Sequence, residues 1–174
     1  LISGNNFNSL VFVGNVAVTP KPVPASAASG LTKVYDGTTS MTGVSLALAG
    51  QEAGDLLAVS GAGAFSQKNA GSGLGYTVNN LSLGGADAGN YYRVGGSSFT
   101  GSNGAITPRP VTVTGVTATD KVYDGSTLAG LGGAPTVAAV AGDDLAVGGG
   151  VGSFADKNVG NGKTVTVNGY SLSG

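Results

Sequence analysis

Lys-Val-Tyr-Asp-Gly is the sequence of residues 33–37, and the same five residues return unchanged at 121–125. The distance between the two copies is 121 − 33 = 88 residues. Thr-Pro-x-Pro-Val at 19–23 returns at 107–111 with the same spacing. A period of this length is the size of one small domain, whereas the units of a solenoid are shorter. The sequence therefore predicts a tandem array of small modules.

Further matches follow in the same order along the chain. Gly54-Asp55 returns as Gly142-Asp143, and Phe-x-x-Lys-Asn at 65–69 returns at 154–158. The last pair is 154 − 65 = 89 residues apart, so one residue has been inserted between them. Repetition of a whole domain provides reach or valency, which a single catalytic site does not need.

Alternating prolines mark the boundaries between modules. The segments 19–22 and 107–110 hold four of the six prolines, and such segments are extended, stiff and poor in N–H donors. We therefore place a complete module at residues 21–108 and a second module, truncated at its C terminus, at 109–174. Residues 1–20 are predicted to be the tail strand of a preceding module. Stiff junctions predict that the modules form an elongated row.

The predicted tail strand at residues 1–20 is too apolar to stay in water, with valines at 11, 13, 16 and 18. In the repeat it corresponds to the piece that would follow Gly174. A strand with an apolar face and unpaired edges seeks a partner. We expect it to pair either with the first complete module or, by exchange, with the last module of a neighbouring molecule.

The composition excludes several classes of partner. Charged residues make up 10% of the chain, against roughly 25% in an average soluble domain, and the net charge is −1. Nucleic acid and anionic membranes both need a basic footprint, and the sequence has no run of Lys or Arg. Its apolar runs are shorter than the 18 or so residues that span a bilayer. We therefore predict no nucleic acid partner and no membrane insertion.

The chain contains no Cys and no His. It therefore lacks the most frequent general base and the thiol nucleophile, and we predict that it is not an enzyme and needs no cofactor. A long chain that crosses membranes unfolded benefits from having no disulfides. This favours an extracellular location, although small secreted domains often use disulfides.

The local patterns predict a mainly-β fold. Residues 111–114 and 164–167 alternate valine and threonine, which is the period of a half-buried strand. Glycine interrupts almost every window long enough for a helix, and the best helical candidate is the short stretch 86–91. An immunoglobulin-like sandwich is favoured for each module. The alternative is a β-grasp-like sheet with one short helix.

Each module contains a strand in which the apolar parity changes. The change falls at Asn79-Asn80 in the first module and at Asn168-Gly169 in the second. An inserted residue that keeps both halves facing the core is a β-bulge, and a tight hairpin is the competing interpretation. The predicted core consists of residues that occupy matching apolar positions in both modules. Its members in the first module are Val34, Tyr35, Phe65, Tyr76, Val78, Leu81 and Leu83.

The sequence elements of the complete module stand in a fixed order. They are Lys33–Thr39, Gly54-Asp55, Phe65–Gly71, Thr77-Val78, Leu83–Tyr91 and Ile106–Pro108. In this order they resemble the YDG repeat domain, and the related MBG domains, of large Gram-negative adhesins that are similar to filamentous haemagglutinins. The resemblance covers nearly the whole chain.

The resemblance implies a role outside the cell and no catalytic residues. Adhesins of this kind are secreted through a two-partner pathway and serve in surface attachment and biofilm matrix, with the YDG repeats as their stalk. We therefore expect a non-catalytic stalk or spacer segment of a secreted bacterial surface adhesin. The alternative is an adhesive module that binds carbohydrate, such as exopolysaccharide or host and bacterial surface glycans, or that associates with itself.

The repeated pentapeptide is interpreted as a structural motif. Its residues are Lys33, Tyr35, Asp36 and Gly37 in the first copy, and Lys121, Tyr123, Asp124 and Gly125 in the second. Asp-Gly predicts a turn whose carboxylate bonds nearby backbone amides, with the tyrosine packed against the end of the module. A sugar-binding surface is the competing interpretation, and the exposure of the tyrosines at 35, 91, 123 and 170 would separate the two.

Four carboxylates are weak candidates for calcium ligands. They are Asp55, Asp87, Asp143 and Asp144. Calcium prefers clustered carboxylate oxygens, as in loops where acidic residues alternate. The sequence has no such loop, and turn or capping roles are the favoured interpretation.

Overall fold

The computed structural model describes residues 13–174, and this part of the chain is built from strands and turns. Its helical structure is limited to a 3-10 turn at Ala88–Asn90, inside the stretch predicted to be a short helix. No helix among the described residues is long and apolar enough to cross a membrane. The prediction of a mainly-β fold is confirmed, and the described strands form several small sheets.

The strands are numbered along the chain. They are β1 Lys21–Ser29, β2 Thr32–Val34, β3 Ser40–Met41, β4 Ser45–Leu48, β5 Ala58–Phe65, β6 Gly71–Gly84, β7 Tyr91–Val94, β8 Phe99–Thr107, β9 Val113–Ala118, β10 Leu128–Ala129, β11 Leu131–Val137, β12 Ala146–Phe154 and β13 Val165–Ser173. Two pairs, β1 with β7 and β2 with β8, are parallel, so each needs a long crossover connection.

The chain divides into two compact units. The first combines residues 13–29, 43–62 and 78–99, and the second combines 30–42, 63–77 and 100–174. Strands β5 and β6 contribute residues to both. This grouping differs from the module boundaries at residues 20 and 108, which stay predictions.

In the first unit, β1 lies between β4 and β7. Ala25 pairs with Leu48 in the antiparallel direction, and Lys21 pairs with Tyr91 in the parallel direction. Val23 is completely buried and Tyr91 nearly so. The prolines at 22 and 24 alternate with Val23 in β1, so the strand that contributes this core residue begins within the segment interpreted as a stiff junction.

In the second unit, β8 is held between β2 and β6 in a sheet of order β2-β8-β6-β5-β3. Ile106 of β8 is 1% exposed. The approach of β8 requires glycine, because a Cβ at Gly104 would lie 2.5 Å from the Phe65 ring and 3.0 Å from the Leu74 carbonyl oxygen. The core of the first repeat therefore depends on this late strand.

The rest of the second unit forms two smaller sheets, of order β10-β12-β13 and β11-β9. Strands β12 and β13 form a long antiparallel pair from Ala146↔Ser173 to Phe154↔Val165. The pairing of β9 with β11 shifts by one residue between Gly133 and Thr136, which is a β-bulge.

The predicted changes in the parity of the apolar positions fall inside β6 and β13. Both strands continue through them, so the hairpin interpretation is wrong. In β6, buried Val78 is followed by buried Leu81, and Asn80 between them has a φ of 55°. In β13 the register is the same on both sides, with Gly149↔Tyr170 and Val151↔Asn168. No residue is inserted there, so the bulge predicted at 168–169 is wrong.

The predicted core is only partly correct. Phe65, Tyr76, Val78 and Leu81 are buried, whereas Tyr35 and Leu83 are half-buried and Val34 is 54% exposed. Val34 faces solvent because side chains alternate along β2 and the side chain of Lys33 occupies the inward position. Several buried residues were not predicted: Val23, Met41, Leu74, Ile106 and Ala129.

The described part of the predicted tail strand does not form a strand. Residues 13–20 form no strand, and Val13, Val16 and Val18 are almost fully exposed. Residues 1–12 lie outside the described residues, so the prediction for them is untested.

Candidate functional site

Lys33 is the centre of the first copy of the pentapeptide. Its side chain is only 8% exposed, and its ammonium donates to the Asp36 carboxylate at 2.6 Å. It also lies 2.7 Å from the Thr38 carbonyl oxygen, 3.0 Å from the Thr38 hydroxyl and 3.1 Å from the Ser40 carbonyl oxygen. A buried ammonium is costly unless its three donors are satisfied, and here they are. We call this arrangement the lysine knot.

Asp36 completes the lysine knot from the other side. One oxygen of its carboxylate accepts from the Thr38 backbone N–H and from the Thr38 hydroxyl, both at 2.9 Å. Gly37 has a φ of +79°, which lets the chain turn between Asp36 and Thr38. The hydrogen bond from Lys33, followed by those from Thr38, lowers the pKa of Asp36 to about 2. Asp36 is thus a turn residue whose carboxylate accepts from one local backbone amide.

The second copy of the pentapeptide forms the same lysine knot. Lys121 donates to Asp124 at 2.8 Å, to the Ser126 carbonyl at 2.9 Å and to the Leu128 carbonyl at 2.9 Å. Asp124 accepts from the Ser126 N–H at 2.9 Å, and its pKa is also lowered to about 2, chiefly by Lys121. The lysine side chain is more exposed here, at 23%. Two copies with the same hydrogen bonds indicate a structural element of the repeat.

Lowered carboxyl pKa values make the lysine knots sensitive to acid. A carboxyl whose pKa is lowered on folding contributes stability above its unfolded pKa of about 3.9, and this contribution is lost as the pH falls through the folded pKa. We therefore expect the melting temperature to fall between about pH 4 and pH 2. Asp36→Asn with Asp124→Asn should flatten this slope, as measured by circular dichroism. The matched control is Asp120→Asn, which removes an exposed carboxylate beside Lys121. If it flattened the pH dependence of the melting temperature equally, the prediction would be contradicted.

Tyr35 connects the first pentapeptide to the second repeat, within the second compact unit. Its hydroxyl donates to the Asp143 carboxylate at 2.8 Å, and this hydrogen bond raises the tyrosine pKa. The ammonium of Lys68 lies 3.7 Å from the same carboxylate. A Cβ on Gly37 would lie 2.9 Å from a methyl group of Val140. These contacts form a clip, which we call the Tyr-Asp clip, between the two repeats.

Within residues 13–174, no side chain covers the second tyrosine of the motif as Asp143 covers the first. Tyr123 is 57% exposed, and its neighbour Val122 is 89% exposed. The expectation that a stalk module buries all four tyrosines is therefore wrong for Tyr123. Tyr91 is buried, and Tyr35 and Tyr170 are half-buried.

The calcium candidates have other contacts. Asp55 accepts from the hydroxyl of Tyr91 at 2.5 Å, and Asp87 accepts from the Leu56 backbone N–H at 2.8 Å. Asp143 belongs to the Tyr-Asp clip, and Asp144 is exposed beside it. Among residues 13–174, no group of three carboxylates is placed to hold a metal ion.

Two further hydrogen-bond clusters were not predicted from the sequence. Tyr91 also accepts from the Glu52 backbone N–H at 2.9 Å, so its ring anchors the loop that carries Asp55. Lys163 contacts Asp156 and donates to the Asn158 carbonyl at 2.6 Å, which closes the loop before β13. The match between Phe-x-x-Lys-Asn at 65–69 and 154–158 indicated this loop. It did not indicate Lys163, because the corresponding residue of the first repeat is Leu74.

A comparison with protein-family models identified one family. The model described as the YDG domain matches residues 19–98 and again residues 107–174. Neither the curated proteins nor the solved structures gave a match to the chain.

Proposed function

Because the chain belongs to the YDG domain family, with two matched segments, we propose that it is a non-catalytic spacer, a stalk segment of a secreted bacterial surface adhesin. In this proposal the repeats hold a binding region of a larger Gram-negative protein away from the cell, in support of attachment or biofilm matrix. The Tyr-Asp clip is the observation that supports it most directly. A spacer can hold a binding region at a defined position only if its neighbouring repeats are coupled to each other.

The clip provides such coupling through side chains of opposite repeats. Tyr35 and Lys68 of the first repeat both approach Asp143, and Val140 covers Gly37. The pentapeptide thus has two roles, since the lysine knot shapes the turn and the tyrosine beside it reaches the next repeat. Neither role requires a bound ligand.

The coupling predicts a change in tumbling when the clip is removed. In Tyr35→Phe/Lys68→Ala the second repeat loses both partners of Asp143, so its rotational correlation time should fall towards that of an isolated repeat. Nitrogen-15 relaxation of the backbone amides of β12 and β13 measures this. Tyr92→Phe, which changes an exposed tyrosine outside the clip, should leave the correlation time unchanged.

A double-mutant cycle supplies the thermodynamic check. Tyr35→Phe and Asp143→Asn remove the two sides of one hydrogen bond, so their effects on stability should be non-additive. Additive effects, together with a second repeat that already tumbles independently in the unmodified chain, would refute the coupled spacer.

A carbohydrate-binding module is the second candidate, and the exposed ring of Tyr123 is the observation in its favour. Aromatic rings displayed on a surface can stack on sugars. Calorimetry with an acidic and a neutral exopolysaccharide separates the candidates. A spacer gives no saturable heat, whereas saturable binding that Tyr123→Ala abolishes would favour the sugar-binding module.

A further inference from the structure

The loop between β12 and β13 contains an Asn-Gly pair at residues 161–162. Both residues are exposed and lie outside the strands. The corresponding residues of the first repeat, Ser72 and Gly73, are exposed as well, although β8 is paired with β6 there. This position is therefore open to water in both repeats.

An asparagine followed by glycine can rearrange without an enzyme. The backbone nitrogen of the glycine attacks the side-chain amide carbon and forms a new C–N bond. The amide nitrogen then leaves as ammonia, together with the proton of the attacking nitrogen, and a succinimide ring remains. Water opens this ring at either carbonyl, which leaves aspartate or isoaspartate. Glycine hinders the attack least, because it has no side chain.

Gly162 is required by the turn, and its nitrogen is not tied down by the backbone. Its φ is 64°, in the left-handed region that favours glycine, and Gly73 of the first repeat has the same value. The N–H of Gly162 donates to no backbone carbonyl among residues 13–174. The turn therefore places the least hindered attacking group next to Asn161.

The sequence contains two other Asn-Gly pairs, and both lie in strands. The pair at 103–104 belongs to β8, where its glycine is buried, and the pair at 168–169 belongs to β13, which pairs with β12. A backbone that is paired in a sheet must open locally before its nitrogen can turn towards the side chain. These two pairs should therefore react slowly, and they serve as matched controls within the chain.

The Asp-Gly pairs of the lysine knots are protected by their hydrogen bonds. Asp36 accepts from Lys33 and from the Thr38 N–H, and its pKa of about 2 keeps it ionised. An ionised carboxylate is a poor electrophile, so attack by the following glycine is slow. Asp124 is held by Lys121 in the same way. The Asn-Gly pair at 161–162 lacks both kinds of protection.

We propose that Asn161 is a site of spontaneous modification, at which the folded chain forms a succinimide with the Gly162 nitrogen and then aspartate or isoaspartate. The contrast between one exposed Asn-Gly pair in a loop and two pairs in strands carries this inference. The reaction consumes only water and releases only ammonia. It does not depend on the spacer function.

The modification places a new carboxylate two residues from Lys163. The hydrogen bond from Lys163, followed by that from the Asn158 N–H, lowers the pKa of Asp156. A carboxylate at position 161 competes for the same ammonium and adds negative charge nearby, so the pKa of Asp156 should rise towards its ordinary value. Carbon-13 NMR of the carboxyl groups measures this rise in Asn161→Asp, one of the two products. The pKa of Asp36, in the first repeat, should not change.

Incubation of the full chain in mildly alkaline buffer, followed by peptide mapping with mass spectrometry, tests the proposal. Trypsin cleaves after Lys163, so positions 161 and 168 fall in separate peptides. The peptide with Asn161 should gain the mass difference between an amide and an acid several-fold faster than the peptides with Asn103 and Asn168. In water enriched in oxygen-18 the new carboxyl group should carry the label. An isoaspartate methyltransferase should methylate the product.

A variant and a denaturant separate the effect of the fold from that of the dipeptide. Asn161→Ser, which introduces the residue found at position 72 of the first repeat, should abolish the reaction at this site and leave the other two rates unchanged. In guanidinium chloride all three pairs should react at similar rates, because the unfolded chain presents the same dipeptide three times. The pairs at 103–104 and 168–169 should then accelerate far more than the pair at 161–162.

Two results would overturn the proposal. One is equal rates for the three Asn-Gly pairs in the folded chain. The other is an Asn161 that stays intact in the folded chain but reacts readily in guanidinium chloride, since the loop would then protect it as the strands protect the other two. Neither result bears on the spacer function, which is tested separately by the tumbling of the second repeat.

Discussion

Phe65→Ala is expected to lower the free energy of unfolding by about 3–5 kcal/mol, which is enough to unfold a small repeat. Phe65 is 3% exposed, and its ring packs against the backbone of Gly104. Truncation removes the apolar surface of the ring and leaves a cavity beside β8, which cannot close because Gly104 has no side chain. Urea unfolding followed by tyrosine fluorescence measures the loss.

The chain contains a matched control for this substitution. Phe154 occupies the same place in the second repeat but is half-buried. Phe154→Ala should therefore cost clearly less than Phe65→Ala. Equal costs at the two positions would show that β8 does not determine the burial of the ring.

Ile106→Ala is expected to cost about 2–5 kcal/mol and to release β8 from the sheet. Ile106 is 1% exposed, and the strand around it bonds to the β2 segment, with Ala105 N–H donating to the Leu31 carbonyl and Tyr35 N–H to the Thr107 carbonyl. Hydrogen exchange should show faster exchange at the amides of Ala105 and Tyr35, together with the loss of stability.

A smaller truncation at the same position provides the control. Ile106→Val removes one methylene and should cost only about 0.5–1.5 kcal/mol. The amides of Ala105 and Tyr35 should then remain protected. If the alanine variant also keeps them protected, the core of the first repeat does not depend on β8.

The repeat and the mainly-β fold could be predicted because both depend on local sequence patterns. Identical pentapeptides gave the period, and the Val-Thr alternation at 164–167 corresponds to β13. The burial of Lys33 could not be predicted in this way, because lysine is rarely buried and two of its acceptors are backbone carbonyls without a sequence signature.

The Tyr-Asp clip was not predicted for a different reason. The hydroxyl of Tyr35 bonds to a carboxylate 108 residues away, in the other repeat, and no local pattern specifies such a contact. Asp143 was interpreted as a turn or capping residue, with a calcium ligand as the weaker alternative. Ile106 was missing from the predicted core because it directly precedes residues 107–110, which were interpreted as a junction. It is 1% exposed and belongs to the buried core.

The lysine knot has a consequence for the order in which the protein folds. Its hydrogen bonds join residues that are three, five and seven positions apart, so it closes a loop as short as those that form in ~10–100 ns. The parallel pairing of Lys33 with Ile106 spans 106 − 33 = 73 residues and must wait for the rest of the repeat. For a chain that emerges N terminus first, the turn at residues 33–40 is ordered early. Strand β8 then pairs with β2 beside a turn that has already formed.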